Sequence, residues 1–261
     1  PIDDFFKFDQ KALVSATPIE LNDPRFKEQN FQTIEIQPTF DYKKEIWLHH
    51  TNNTLQAFKN VLSKLNNEEA APLPICVFIN STDIIYSLMK QLDLLEESAV
   101  FCAPTSVDKL KKNRFCNVYE QWNKDKMKRY NFFTSRFFNA VDMELEEQPH
   151  VIMLTDVYFA EHTMIDPYTD AIQIVGRFRN GVSSITYISN TKKGLPQRSK
   201  EEIKGYLICS KEIYRTMKNF YDCATDRASR DAYRAALESL PFNRMLDRNG
   251  RENWFAIDNY M

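Results

Sequence analysis

The stretch Gln173-Ile174-Val175-Gly176-Arg177-Phe178-Arg179-Asn180 offers one amide and two guanidiniums from one helix edge. Such an edge suits a phosphate chain, because arginine stays charged and its planar fork donates several hydrogen bonds to phosphate oxygens. Taken alone, the stretch is equally a helix with two solvated arginines. Three polar segments precede it in the chain, each following an apolar run: Val14-Ser15-Ala16-Thr17-Pro18, Val77-Phe78-Ile79-Asn80-Ser81, and Phe132-Phe133-Thr134-Ser135-Arg136, which continues through Ala140 to Asp142. Open α/β sheets bind their ligands beyond the carboxyl ends of the strands, and these hydroxyls, amides and carboxylate fall at such ends.

Other polar groups point to weaker chemistry. Lys109, Lys111, Lys112 and Arg114, then Lys124, Lys126, Lys128 and Arg129, form a basic cluster with Tyr119, Trp122 and Tyr130 interleaved. It could hold phosphates while its rings stack on unpaired bases, or be a solvated helix face with core aromatics. Thr105 and Ser106 follow a strand and either cap the next helix or meet a phosphate. Glu144, Glu146 and Glu147 read as a solvated loop face. His49, His50, His150 and His162 make no His-x3-His pair, so no metal site is expected. There is no Gly-x-Ser-x-Gly elbow. Gly176 and Gly181 have phosphate-loop spacing but are followed by Val182-Ser183 in place of lysine, and Asp3-Asp4 read as solvated acids, not a magnesium site.

Composition narrows the field. The 261 residues are 43% hydrophobic and 27% charged, enough for one sizeable core or two modest ones. A net charge of -2 removes nucleic-acid coating by charge alone, so any such contact must be local. Five glycines argue against a collagen-like or solenoid chain. Five cysteines without a Cys-x-x-Cys pair suggest neither a disulfide framework nor a zinc ribbon, and a reducing compartment is expected. No apolar run approaches the ~20 residues that span a bilayer, and the start carries no signal peptide; a soluble, cytoplasmic protein with no membrane partner is expected. The absence of an initiator Met suggests a segment of a longer protein.

To position these residues, short β-branched runs alternate with helical patterns, which predicts a mostly parallel sheet flanked by helices. Strands are expected over Ala12–Ser15, Ile75–Ile79, Ala99–Cys102, Tyr130–Phe133, Val151–Leu154 and Ile185–Ile188. Helical spacing over Leu55–Leu65 and Ile84–Leu92 predicts helices on the sheet, with a loop at 68–74 where Pro72 and Pro74 intervene. Lys200 to Leu240 carries a long helical pattern. Arg244–Leu246 and Trp254–Ile257 flank Asn249-Gly250, which predicts a terminal β-hairpin.

The four polar segments, in this order, resemble motifs III, IV, V and VI of superfamily-two helicases and translocases. Ser15-Ala16-Thr17 resembles the signature that couples the nucleotide site to nucleic acid, and Phe78, Asn80 and Ser81 resemble motif IV. Thr134 and Asp142 resemble motif V, with Ala140 where the family has glycine. Gln173, Arg177 and Arg179 resemble motif VI, in a short Gly-Arg-x-Arg form similar to that of replication-origin-binding helicases of viruses and mobile elements. The resemblance covers residues 12–189. It implies a RecA-like C-terminal motor domain at 27–195, the end of a first motor domain and linker at 1–26, and a helical extension with hairpin at 196–261.

The resemblance also implies roles. Arg177 would be an arginine finger supported by Arg179, Gln173 would orient the γ-phosphate or water, and Asp142, Gly176 and Thr134 would lie on the nucleotide side. Ser15 and Thr17 would form the coupling hinge, and Asn80, Ser81, Thr105 and Ser106 the strand-binding face. ATP and Mg2+ would be bound mainly by an N-terminal RecA-like domain of the same protein, the other partner being nucleic acid, DNA in preference to RNA. The chain alone would then hydrolyse nothing. The alternative is a non-catalytic, degenerate RecA-like module that binds nucleic acid or a partner protein.

Overall fold

The computed structural model describes residues 2–15, 17, 21–39, 41, 43–68, 72–139, 141–194 and 198–261. Ala16, Pro18 and Ala140, named above, lie outside these residues. The chain divides into two compact units, the larger drawn from 15–17 and 37–195 and the smaller from 1–14, 18–36 and 196–261. In chain order the smaller unit opens with α1 (Ile2–Phe5) and α2 (Pro24–Glu28). The larger runs β1 (Trp47–His50), α3 (Thr54–Glu68), β2 (Ile75–Phe78), α4 (Thr82–Gln91), β3 (Ser98–Phe101), α5 (Pro104–Lys112), β4 (Val118–Tyr119), β5 (Tyr130–Phe133), β6 (His150–Leu154), α6 (Asp170–Gly176) and β7 (Ser184–Ser189). The smaller resumes with α7 (Lys200–Cys223), α8 (Arg227–Ser239) and α9 (Trp254–Tyr260).

Among the described residues, seven strands form one all-parallel sheet in the order β1-β7-β6-β2-β5-β3-β4. Its central strands are apolar at nearly every position because both faces are covered. Ile75, Val77, Val100, Phe132 and Ile152 face Phe58, Leu62, Ile85, Met89 and Leu110 of α3, α4 and α5. The alternate residues Cys76, Phe78, Phe101, Phe133, Val151 and Met153 face Phe137, Phe138, Met143, Ile174 and Phe178. This period-two division puts three helices on one face and α6 on the other, as right-handed crossovers require when the chain steps one way across the sheet from β1 to β4 and back the other way from β4 to β7.

The smaller unit is helical. Ser199 and Glu202 form a reciprocal capping box at the start of α7. Leu207, Phe242, Met245 and Ile257 make its main apolar cluster. Phe5, Phe6, Phe26 and Phe31 form an aromatic cluster, with the Arg25 guanidinium 4.3 Å from the Phe6 ring centroid. Arg25 also pairs with Asp23 and Asp3, each at 2.6 Å, and Lys7 pairs with Asp4, so the two N-terminal acids are ion-paired as well as solvated.

Several expectations need correction. Ala12–Ser15 is not a strand: no described strand lies beside it to complete its hydrogen bonds, and Val14 is 96% exposed. Two short strands, β1 and β4, went unforeseen. β1 is an exposed edge whose Trp-Leu-His-His has no apolar run, and β4 has two residues. The long helical pattern breaks at Ala224–Asp226, where the Asp226 carboxylate accepts the Ser229 amide and starts α8. Of the terminal hairpin, the turn forms at Gly250 with φ 73° and one antiparallel bridge joins Leu246 to Glu252. Beyond it the Asn253 side chain accepts the Ala256 amide, and Trp254–Tyr260 coils into a helix.

Candidate functional site

Phe78, Phe133 and Phe101 end three adjacent strands in register. Their rings stack in a row, with centroids 5.0 and 4.9 Å apart and planes inclined by 18° and 9°. This ladder levels the carboxyl ends of β2, β5 and β3, and the chain leaving them encloses a groove of about 480 Å³. Asn80, Ser81, Ser106, Thr134, Arg136, Phe159 and His162 line it.

The groove offers donors to an anion, and the one carboxylate named in its lining, Asp83, is paired with Lys109. The N-termini of α4 and α5 open at it, and the cap position of α5 is Ala103, whose side chain cannot accept the helix's first amides. Unsatisfied helical amides carry partial positive charge and suit phosphate or carboxylate oxygens. Arg136 is exposed, and among the described residues it makes no hydrogen bond or ion pair.

Four of the residues proposed from sequence for strand or nucleotide contact, Asn80, Ser81, Ser106 and Thr134, thus share one groove. Their side chains do different work. The Asn80 amide donates to the His162 carbonyl at 3.0 Å and accepts the Ser135 amide at 3.4 Å, bracing the loops after β6 and β5. Ser81 caps α4 by accepting the Ile84 amide. Thr105 and Ser106 do not cap α5 as expected, because its cap position is Ala103 and they lie in its first turn; Thr105 is exposed and outside the groove lining.

A second cluster forms around α6. Met143 donates its amide to the Arg177 carbonyl at 2.8 Å and accepts the Arg179 amide at 3.2 Å, which holds 141–145 alongside 177–179. Asp142 is thereby set 2.7 Å from Arg179 and 3.6 Å from Arg177. Arg177 Nε donates to the Gln173 carbonyl, and its terminal nitrogens donate to Gln173 Oε1 and the Asn139 carbonyl, both at 3.2 Å. Gln173 Nε2 in turn donates to Thr17 Oγ1 at 3.4 Å, and Thr17 shares a hydrogen bond with Ser15 at 3.2 Å. Ser15 and Thr17, Asn139 and Asp142, and Gln173, Arg177 and Arg179, far apart in sequence, therefore form one connected polar network. Gly176 closes α6; a Cβ there would meet nothing within 4 Å, so no packing contact explains the glycine.

Sequence reasoning passed over Arg136, Phe159 and His162 as groove residues. Arg136 stood inside a segment already singled out; the signal for the other two was only their place after a strand. The basic cluster of 109–129 does not form one surface. Tyr130 is buried in the core, Tyr119 and Trp122 pack against the opposite apolar cluster, Lys109 pairs with Asp83, and Lys124 pairs with Glu146. Glu146 is exposed, as the solvated reading of that acidic run requires.

The α6 cluster fits the terminal phosphates of a nucleotide in its donors, with two guanidiniums and an amide within one hydrogen-bonded set. It does not by itself supply a magnesium site: among the described residues no three His, Cys, Asp or Glu side chains converge on a point. Cation ligands would have to come from elsewhere.

No protein-family model matches the chain, and no curated protein matches it. Among solved structures, the C-terminal domain of the DEAD-box protein Dbp5 is similar at a TM-score of 0.35 and 13% identity, over 66% of this chain and 86% of that one. That likeness is slight, and the functional reading rests on the groove and the α6 cluster.

Proposed function

We propose that this chain is the second motor domain of an ATP-dependent nucleic-acid helicase or translocase, acting with a nucleotide-binding domain supplied by the rest of its polypeptide. The observation that carries the reading is the network joining Thr17, Gln173, Arg177, Asp142 and Arg179 across three remote segments. A merely solvated pair of arginines would need no such partners. Nucleic acid, DNA in preference to RNA, lies in the groove at the ends of β2, β3 and β5, its phosphates held by the α4 and α5 N-termini and by Arg136.

ATP with Mg2+, when bound, supplies the phosphoryl group whose transfer drives the motor. Arg177 approaches it across the interdomain cleft and neutralises charge that develops in transfer. Gln173 orients the terminal phosphate or the attacking water, and its contact with Thr17 ties that orientation to the segment entering from the first domain. Arg179 supports Arg177 through their shared partner Asp142.

The test is ATP turnover by the longer protein that contains this chain, with and without single strands, beside its Arg177→Ala variant. The reading expects stimulation by strands and a loss of about 10³-fold in the variant, with strand affinity retained. The isolated 261-residue chain is expected to turn over no ATP. An inert parent, or a variant equal to it, would make Arg177 structural and leave a nucleic-acid or protein-binding module.

A further inference from the structure

Phe159 stands out among the groove residues. Its ring is 82% exposed, yet its backbone belongs to one of the most tightly tied loops in the larger unit. The buried Asp156 carboxylate accepts hydrogen bonds from Thr54 Oγ1 at 2.6 Å, from Asn190 Nδ2 at 2.8 Å, and from the amides of Tyr158 and Phe159 at 3.2 and 3.4 Å. The Asp156 amide donates to the buried Thr163 hydroxyl at 2.9 Å, and the Ala160 amide donates to the Asp156 carbonyl at 3.1 Å. From the other side Asn80 holds the His162 carbonyl.

A loop phenylalanine free to move gains by laying its ring on apolar surface, since burying apolar area is favourable. Here the polar ties fix the backbone on both sides of residue 159 and leave the ring in solvent at a groove lined mainly by polar side chains, Asn80, Ser81, Ser106, Thr134 and Arg136 among them, with the Asp83 carboxylate held by Lys109. Resting on the strand-binding reading above, we infer that Phe159 is a base-stacking platform: a base of the bound single strand lies on its ring while the adjoining phosphates meet Arg136 and the α4 N-terminus. An aromatic face next to a cationic, amide-lined track is the combination that holds unpaired strands without reading sequence. Asp156 is the positioning residue that presents the ring.

The experiment is titration of the full chain with single-stranded oligonucleotides, DNA and RNA, carrying one 2-aminopurine. Wild-type protein is expected to change the fluorescence of the stacked base on binding. Phe159→Ala should abolish that change and weaken binding by roughly five- to a hundredfold, as loss of one stacked base does. Phe159→Trp should retain both. Arg136→Ala should weaken binding with a steeper loss at high salt removed, while the complex that remains keeps the fluorescence change. If Phe159→Ala binds and alters fluorescence like the wild type while Arg136→Ala weakens binding, the stacking inference is overturned and the groove stands. If the wild type binds neither strand, the groove reading fails and the inference with it.

Discussion

The groove and the α6 cluster both gather cationic donors, but in opposite states. Arg136 has no hydrogen-bond or ion-pair partner among the described residues and lines a cavity at the N-termini of α4, capped by Ser81, and α5, whose cap position is Ala103. Arg177 has a side chain only 15% exposed and is already satisfied by Gln173, Asn139 and Asp142. An anion can enter the groove without displacing any contact, whereas at α6 it must compete with an internal carboxylate and an internal amide. The groove is thus ready to hold a ligand at rest, and the cluster is latched until something exchanges its partners. On the function proposed above, the groove would hold the strand throughout and the α6 cluster would engage phosphate in only one state.

The comparison can be broken from either side. The largest effect in this pair is expected at the unpaired cation: Arg136→Ala should lower single-strand affinity about tenfold and reduce the salt slope by about 1, read from binding isotherms at several salt concentrations. An unchanged slope would mean Arg136 meets no phosphate. A smaller effect is expected at the latch. Asp142→Asn removes the carboxylate charge that both arginines face while Arg177 keeps its bonds to Gln173 and Asn139, and since the Asp142–Arg179 pair is half exposed, stability should change by less than about 1 kcal/mol. Pyrophosphate affinity, by calorimetry, should rise roughly threefold; a fall would show that Asp142 arranges the arginines for the anion and does not compete with it.

The smallest effect concerns pH. Burial, reinforced by the Asp166 charge and opposed by the Asp166 amide, raises the Asp170 carboxyl above its ordinary range at the start of α6. A raised carboxyl favours the folded state fully while protonated, below the ordinary value, and that contribution is lost as pH rises through the raised value. Asp170→Asn should therefore flatten the pH dependence of Tm on the alkaline side of the ordinary aspartate range relative to wild type. An identical profile in the two proteins would place the titration elsewhere.

How far the fold could be read in advance depended on burial. Residues 75–79, 99–102 and 151–154 are continuous apolar runs, and 130–133 and 185–188 are interrupted only by Asn131 and Thr186, because both faces of β2, β3, β5, β6 and β7 are covered, or nearly so; such runs are visible without a structure. α3 and α4 were equally visible, since one face of each is apolar. β1 and β4 were not, because an exposed edge or a two-residue pairing leaves no pattern. Val14 shows the converse: the run around it has strand composition and no neighbouring strand. At the C-terminus the Asn-Gly turn was legible, while the helix after it was set by the Asn253 cap, a weaker signal.

The candidate site divides in the same way. The sequence by itself placed Gln173 and Arg177 about one helical turn apart, because that spacing is local, but the helix ends at Gly176, so Arg177 is its C-cap residue and Arg179 stands beyond it. It likewise determined that Asn80, Ser81 and Thr134 leave the ends of buried strands. Only the tertiary structure decided that Asp142 meets Arg179, that Thr17 meets Gln173, and that Arg136 and Phe159 share one groove. Those neighbours are made by strand order and by a Phe78–Phe133–Phe101 ladder across three strands, which bring together residues up to 156 positions apart. Spacing along a chain fixes who shares an element; the order in which elements pair fixes who shares a site.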